Sequence, residues 1–181
     1  MLYLVTGGSG SGKSEYAENL AVSLKKENLI YIATMFPFDS ESLKKIERHK
    51  TMRKNKGFLT KECYKNLEDI SIYKNSTVLL DCMSNLVANE MYMENKEDKD
   101  IVLKIINGVK RLKNISDNIV IVTNEIFSDG IEYDKETEKY INNLGKINKD
   151  LGQLAEQVIE VVYTIPIYYK GGKCRCGTHL K

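Results

Sequence analysis

The chain has 181 residues, of which 42% are hydrophobic and 29% are charged, as is typical of one globular domain rather than of a disordered or fibrous protein. Its 27 Lys and Arg against 25 Asp and Glu give a net charge of +2, which argues against a nucleic-acid or membrane-surface partner. No apolar run approaches the roughly 18 residues of a membrane span, and no signal-peptide pattern is present. We therefore expect a cytoplasmic protein without a membrane span, whose cysteines are thiols.

A glycine-rich loop near the start of the chain is the most informative motif. Residues 2–6 form an apolar, β-prone run, and residues 7–14 follow as Gly-Gly-Ser-Gly-Ser-Gly-Lys-Ser, which has the form G-x-x-x-x-G-K-[ST]. An amphipathic stretch at 15–26 predicts a helix next, so the loop lies in the strand, loop and helix setting of a phosphate-binding loop. Glycines let successive backbone N–H groups turn toward phosphates, and the helix contributes its positive N-terminal end.

The loop therefore predicts a site for a nucleoside triphosphate. Lys13 is expected to reach the β and γ phosphates, and Ser14 is expected to ligate Mg²⁺. A flexible linker is the poorer interpretation, because the segment directly follows a predicted strand. The residues expected to contact the nucleotide are Gly7, Gly8, Ser9, Gly10, Ser11, Gly12, Lys13 and Ser14.

Strands and helices alternate along the rest of the chain. Residues 29–33 predict a strand buried on both faces, and residues 40–53 predict a helix. Two further apolar strands, at 77–81 and 119–125, each end in an acid. The other predicted elements are a short strand at 58–62, a short helix at 67–73, helices at 83–93, 98–115 and 135–157, and a strand at 158–164 that Pro166 either ends or marks as an edge strand.

This alternation predicts one P-loop NTPase-like α/β domain over residues 1–170, with a mostly parallel sheet between two layers of helices (three-layer α/β/α). Residues 171–181 are interpreted as a C-terminal tail. In this tail Cys174, Cys176 and His179 are candidate metal ligands, but they fall short of the tetrahedral set of a structural zinc site. A mobile tail is therefore the favoured interpretation.

Asp81 and Glu125 end two predicted strands. Because the carboxyl ends of parallel strands meet at the edge that carries the phosphate loop, either carboxylate is a candidate to hold Mg²⁺ directly or through water. Asp81 is the stronger candidate, and Glu125 is the second, since Mg²⁺ rarely uses more than one or two protein carboxylates. A capping or surface role stays open for both.

His49 lies on the predicted helix 40–53 in a strongly basic stretch. Residues 44–56 carry seven basic residues against the single acid Glu47. A neutral imidazole attacks phosphorus readily, and surrounding cations attract a polyphosphate, so His49 is a candidate nucleophile. From the spacing alone, a solvated helix histidine stays the favoured interpretation.

A set of short motifs runs in order through the chain. These are Leu4-Val5-Thr6-Gly7-Gly8 with Ser11-Gly12-Lys13-Ser14, Tyr31-Ile32-Ala33-Thr34, His49-x-x-x-Arg53, Thr60-x-Glu62, Leu79-Leu80-Asp81-Cys82, Val122-Thr123-Asn124-Glu125 and Gly145-x-x-Asn148. Together they resemble the adenosylcobinamide kinase/adenosylcobinamide-phosphate guanylyltransferase family of cobalamin biosynthesis, over nearly the whole chain. The phosphate loop is shared with many proteins, whereas the histidine, arginine and acid motifs that follow are more specific. Gly10 stands where the family usually has arginine.

The resemblance implies a bifunctional enzyme that uses ATP and GTP as substrates and Mg²⁺ as cofactor. Its kinase activity would phosphorylate the aminopropanol hydroxyl of adenosylcobinamide, a corrinoid. Its transferase activity would use His49 as the nucleophile on the α-phosphorus of GTP and pass GMP from a guanylyl-histidine to the phosphorylated cobinamide, which gives adenosylcobinamide-GDP. The resemblance further implies that Arg53 steadies the transferred phosphate, that Thr34 and Glu62 belong to the nucleotide site, and that the protein is a homo-oligomer, with a trimer as one form.

Two other functions stay open at this point. The first is a small-molecule or nucleoside kinase with a phosphate loop and no covalent step. The second is a non-catalytic, nucleotide-binding regulatory module whose basic helix docks an anionic partner.

Overall fold

The computed structural model describes residues 1–93, 100–127 and 130–172. Seven strands and five helices make up the regular structure of this part of the chain. The strands are β1 (Leu2–Thr6), β2 (Asn28–Ala33), β3 (Leu59–Glu62), β4 (Ser76–Asp81), β5 (Asn118–Val122), β6 (Gln157–Val162) and β7 (Ile165–Lys170). The helices are α1 (Lys13–Ser23), α2 (Ser40–Arg53), α3 (Met83–Tyr92), α4 (Ile101–Ile115) and α5 (Lys135–Leu154), and a short 3-10 turn covers Leu67–Asp69.

All seven strands form one sheet in the order β3-β2-β4-β5-β1-β6-β7. The first six strands are parallel, and β7 pairs antiparallel with β6 at the edge. The register aligns the carboxyl ends of the strands, so that Asp81 pairs with Val122, which in turn pairs with Val5. Asp81 therefore lies level with the end of β1, and β5 lies between the two.

Helices cover both faces of the sheet. One core lies between the sheet and helices α3, α4 and α5, and it includes Leu2 and Leu4 of β1. The second core packs Tyr3 and Val5 of the same strand against α1. Successive side chains of a strand point to opposite faces, so strands covered on both sides need continuous apolar runs such as Asn118–Val122, which is buried throughout. The predicted three-layer, mostly parallel α/β/α fold is confirmed.

Several predicted boundaries were wrong. Helix α1 occupies 13–23 rather than 15–26, and β5 ends at Val122 rather than at 125. The predicted strand 158–164 is part of a hairpin, because Tyr163 and Thr164 both have positive φ and turn the chain back into β7. Pro166 lies in that edge strand, where a missing N–H donor is tolerated.

Two predictions fall outside the described residues. They are the first two residues of the predicted helix 98–115 and the cysteines and histidine of the predicted tail, Cys174, Cys176 and His179. Strand β7 ends at Lys170, and the boundary between a domain and a tail at that point stays a prediction. No helix in the described part of the chain is long and apolar enough to cross a membrane.

Candidate active site

A cleft of about 540 Å³ opens at the carboxyl edge of the sheet, which is where open α/β sheets bind their ligands. The phosphate loop forms one wall, the inner side of α2 forms another, and the ends of β2 and β4 form the floor. The cleft thus brings together residues 9–14, His49, Arg53 and Asp81, which are separated by up to 72 positions in the sequence.

The phosphate loop has the backbone conformation that its glycines allow. Gly12, the N-cap of α1, has φ +91°, and a Cβ at this position would lie 2.9 Å from the Thr164 side chain. The backbone N–H of Thr164 donates to the Ser11 carbonyl over 2.9 Å, so the turn of the β6–β7 hairpin braces the loop. A side chain at position 12 would be strained and would push this brace away.

Lys13 lies in the first turn of α1 and folds back over the loop. Its ammonium group donates to the Gly8 carbonyl over 3.0 Å. Burial lowers the pKa of Lys13 from its ordinary value, and nearby Cys82 and Asp81 oppose that shift. A cation whose charged form is disfavoured by burial gains the most from a polyphosphate placed beside it.

Asp81 is the centre of a buried polar cluster on the α1 face of the sheet. The Tyr31 hydroxyl donates to Asp81 Oδ2 over 3.2 Å, and His49 Nδ1 lies 3.6 Å from the same oxygen. The Arg53 guanidinium carbon lies 3.4 Å above the Tyr31 ring in a cation–π contact. Burial and the Asp81 carboxylate raise the pKa of Tyr31, so its hydroxyl stays a donor. The cluster therefore holds a carboxylate, an imidazole and a guanidinium in a fixed relation.

Buried polar atoms without a hydrogen-bond partner concentrate in this cleft. Among the described residues the set comprises five atoms, three of which belong to cleft-lining residues: Ser11 Oγ, His49 Nδ1 and Arg53 Nη1. A buried polar atom without a partner is costly and needs an explanation. A phosphate group bound between the loop and α2 would provide acceptors for the donors of Ser11 and Arg53.

The residues at the cleft suit Mg²⁺ in their chemistry. Asp81, which is 8% exposed, supplies carboxylate oxygens, and Ser14 supplies a hydroxyl in the same lining. Mg²⁺ is usually held by one or two carboxylates together with substrate phosphates, so this sparse oxygen set fits the ion. The described residues contain no cluster of three His, Cys, Asp or Glu side chains that could hold a metal without such a substrate.

Five predicted site residues do not line the cleft. Two of them, Gly7 and Gly8, begin the phosphate loop, whose lining part starts at Ser9. Glu125 accepts from the backbone N–H of Phe127 over 3.0 Å. Direct nucleotide or metal contacts by these three residues stay predictions.

The other two residues outside the lining are Thr34 and Glu62. Thr34 is fully buried, and its hydroxyl bonds both the N–H and the carbonyl of Cys82 over 2.8 Å. Glu62 lies at the end of the edge strand β3, and burial together with this carboxylate raises the pKa of Tyr64 to about 12. A part for either residue in the nucleotide site likewise stays a prediction.

Sequence reasoning missed several residues of the cleft. The sequence predicted Tyr31 only as a buried strand residue and Thr164 only as part of a strand. Cys82 and Asn85 follow Asp81 into the lining at the start of α3. Burial raises the pKa of the Cys82 thiol to about 11, so it is protonated at neutral pH and is a poor nucleophile. The motifs Tyr31-Ile32-Ala33-Thr34 and Leu79-Leu80-Asp81-Cys82 contained two of these residues, and the period-2 pattern puts Tyr31 on the α1 face of the sheet.

The fold resembles that of two solved structures. The flagellar accessory protein FlaH from Methanocaldococcus jannaschii aligns with a TM-score of 0.53 at 16% identity. The alignment covers 93% of this chain and 77% of the FlaH chain. The ATPase domain of a second protein aligns with a TM-score of 0.51 at 12% identity. This alignment covers 88% of this chain and 68% of the chain of that second structure. At these identities the likeness concerns the fold alone.

Comparison of the sequence with known proteins identifies relatives and a family. The chain is 29% identical over 185 residues to the bifunctional adenosylcobalamin biosynthesis protein CobU of Escherichia coli strain K12 and 27% identical over 188 residues to its counterpart in Salmonella typhimurium. Each alignment covers 94% of this chain and 100% of the relative. Residues 3–168 also match the family described as cobinamide kinase / cobinamide phosphate guanyltransferase. The predicted resemblance is confirmed, and the chain belongs to the cobinamide kinase / cobinamide phosphate guanyltransferase family.

Proposed function

We propose that this protein phosphorylates adenosylcobinamide with ATP or GTP and then transfers GMP from GTP to the product through a guanylyl-histidine at His49. The observation that carries the proposal is the position of His49. Its Nδ1 lies 3.6 Å from the buried Asp81 carboxylate, inside the cleft that the phosphate loop forms. Family membership supports both activities.

The guanylyl transfer would proceed in two displacements. With Nδ1 facing Asp81, Nε2 of His49 is the nitrogen available to attack the α-phosphorus of GTP. An N–P bond forms as the bond to the pyrophosphate oxygen breaks, and the Asp81 carboxylate stabilises the charge that develops on the imidazole. A phosphate oxygen of the phosphorylated cobinamide then attacks the same phosphorus, the N–P bond breaks, and His49 is regenerated.

The kinase step would use the same phosphate loop. The aminopropanol hydroxyl attacks the γ-phosphorus, and ADP or GDP leaves. Lys13 and the loop N–H groups position the triphosphate, while Arg53 faces the charge that spreads over the transferred group. Asp81 and Ser14 would hold Mg²⁺, which when bound neutralises phosphate charge.

We also propose that the protein acts as a homo-oligomer. The edge strand β7 supports this proposal, because Ile165, Ile167, Tyr168 and Tyr169 are each at least 43% exposed along it. An exposed apolar edge of this kind is a common site of association between chains. The oligomeric form and the cytoplasmic location stay predictions.

The decisive experiment uses GTP labelled on its α-phosphate. We expect the purified protein to acquire an acid-labile, alkali-stable label and the His49→Ala variant to acquire none. The matched control is Lys50→Ala, which changes the neighbouring residue on the exposed side of α2, where Lys50 pairs with Glu47, and should leave the label unchanged.

The same experiment separates the alternatives. A protein that carries no label yet releases ADP or GDP when cobinamide is added is a kinase without a covalent step. A protein that binds nucleotide with negligible turnover is a regulatory module. Either outcome contradicts the guanylyl-histidine.

A further inference from the structure

The size of the cleft leaves the bulk of a corrinoid acceptor without a place. A volume of about 540 Å³ is that of a pocket for one ligand of ordinary size, and a nucleoside triphosphate would occupy it. The reacting hydroxyl of cobinamide can enter the cleft, but its macrocycle cannot follow. The macrocycle must therefore rest on a surface beside the cleft.

A partly exposed aromatic cluster lies beside the cleft, at the carboxyl ends of β2 and β3. It consists of Phe36, Phe38 and Tyr64, which we call the aromatic shelf. The ring centroids of Phe36 and Phe38 are 4.7 Å apart, and those of Phe36 and Tyr64 are 5.0 Å apart at an interplanar angle of 79°. The Phe38 side chain is 70% exposed. A phenyl ring at the surface lacks the stabilisation that burial gives to most aromatic residues.

The shelf is held in place from below. The side-chain amide of Asn89, a buried residue of α3, donates to the Thr34 carbonyl over 2.8 Å and to the Tyr64 carbonyl over 3.0 Å. This one side chain ties the loop after β2 to the loop after β3. The two loops that carry the shelf are therefore held together by polar contacts, which lowers the entropic cost of binding a ligand on them.

The shelf is continuous with the cleft along the chain. Met35 lines the cleft, and Phe36 follows it directly. Phe38 precedes Asp39, the residue that caps the helix carrying His49. A ligand on the shelf would thus lie beside the start of α2 and next to the wall of the cleft that Met35 forms.

We propose that the aromatic shelf of Phe36, Phe38 and Tyr64 binds the macrocycle of the corrinoid substrate while its aminopropanol arm reaches into the cleft. This inference rests on the proposed function and assigns the acceptor subsite within it. The conjugated ring system of the macrocycle packs on the aromatic rings, and the nucleotide occupies the phosphate loop. The shelf then selects the acceptor without contacting the triphosphate.

The test is Phe38→Ala, because this ring is largely exposed and its removal leaves the folded core intact. We expect the KM for cobinamide to rise about tenfold, as for the loss of one large apolar contact. The KM for GTP and the α-phosphate label on His49 should not change. Phe38→Tyr should restore the wild-type KM, since it keeps the ring.

Tyr73→Ala is the matched control. Tyr73 is 58% exposed and lies shortly before the start of β4, at the amino ends of the strands and away from the cleft, and its loss should leave the KM for cobinamide unchanged. An unchanged KM in Phe38→Ala overturns the shelf, and so does an equal rise in the KM for GTP, which would place the guanine base there. Failure of the wild-type protein to turn over cobinamide contradicts the proposed function itself. In that case direct titration of cobinamide onto the wild-type protein and onto Phe38→Ala still tests the shelf, because it compares the two affinities.

Discussion

At the scale of single residues, the cleft is organised by a tyrosine to which the sequence assigned no catalytic or binding role. Tyr31 contributes its hydroxyl to Asp81 and its ring face to Arg53. The two groups proposed to surround a reacting phosphorus are thus held by one side chain from β2. Tyr31 is a positioning residue, because it acts through Asp81 and Arg53.

Replacing Tyr31 by Phe isolates the hydroxyl. The ring remains for Arg53 and for the core, while Asp81 loses its donor and His49 loses a fixed partner. We expect the rate of His49 labelling from GTP to fall about tenfold, as for the loss of one hydrogen bond to a charged group, with little change in the KM for GTP. Single-turnover kinetics with α-labelled GTP measure both quantities.

Tyr3→Phe is the control for this substitution. Tyr3 is buried on the same face of the sheet, and its hydroxyl contacts only the Met1 sulfur, at 3.5 Å, among the described contacts. Its loss should leave the labelling rate unchanged. A rate in Tyr31→Phe equal to wild type would show that the hydroxyl has no positioning role.

At the scale of elements, α2 is a helix held mainly at its two ends. Most of its side chains are exposed, and Arg53 is its one residue in the buried class. Asp39 and Ser42 form a capping box at its start, and Lys56, just beyond its end, pairs with the buried Glu18 of α1 at 2.8 Å. The placement of His49 therefore depends on the caps and anchors of the helix more than on its packing.

Asp39→Ala removes the N-terminal cap of α2. We expect amide protons in its first turn to exchange roughly fivefold faster and His49 labelling to slow with them. Hydrogen bonds from Ser42 lower the pKa of Asp39 below its ordinary value of 3.8. In wild type the contribution of the cap is therefore present above that value and is lost as the pH falls through the lowered pKa.

Asp134→Ala is the matched control, because Asp134 caps α5 in the same way by accepting from Glu136 and Thr137. It should speed amide exchange in α5 and leave His49 labelling unchanged. Equal labelling in wild type and Asp39→Ala would show that the cap does not control the presentation of His49.

At the scale of the whole molecule, the proposed nucleotide site lies where the sheet, α1 and α2 meet, so occupancy of that site should stabilise the entire fold. At about one hundred times its Kd, GTP should raise the free energy of unfolding by about 2.7 kcal/mol. Because burial lowers the pKa of Lys13 from 10.5, this gain should be complete below the lowered pKa. The stabilisation by GTP should decline at a lower pH than it would if Lys13 had the pKa of an ordinary lysine.

Denaturant unfolding with and without GTP across pH measures this effect. Lys13→Met should lose most of the gain at neutral pH and should lack the alkaline decline. Lys26→Met, at an exposed position after α1, should match wild type. The same alkaline decline in Lys13→Met would assign it to another group.

Much of the fold follows from local patterns. The buried strands at 29–33 and 77–81 were predictable because a strand covered on both faces must be apolar throughout, and α2 was predicted with its observed bounds because its serine start and basic spacing are local. The hairpin at 163–164 was missed, since neither residue is the glycine or asparagine that such turns favour. The end of β5 was also missed, because pairing with β1 and β4, rather than composition, decides where that strand stops.

The sequence by itself determined the phosphate loop, the order of strands and helices, and the family, because each depends on residues close together along the chain. Only the tertiary structure decided which side chains meet in the cleft. Asp81 lies level with the end of β1 because the parallel register aligns the strand ends. The register between β2 and β4 sets Tyr31 and Asp81, which are 50 residues apart, within hydrogen-bonding distance. The loops after β2 and β3 then bring together the rings of the aromatic shelf. Contacts between distant segments depend on how the sheet is paired, and no local pattern contains that information.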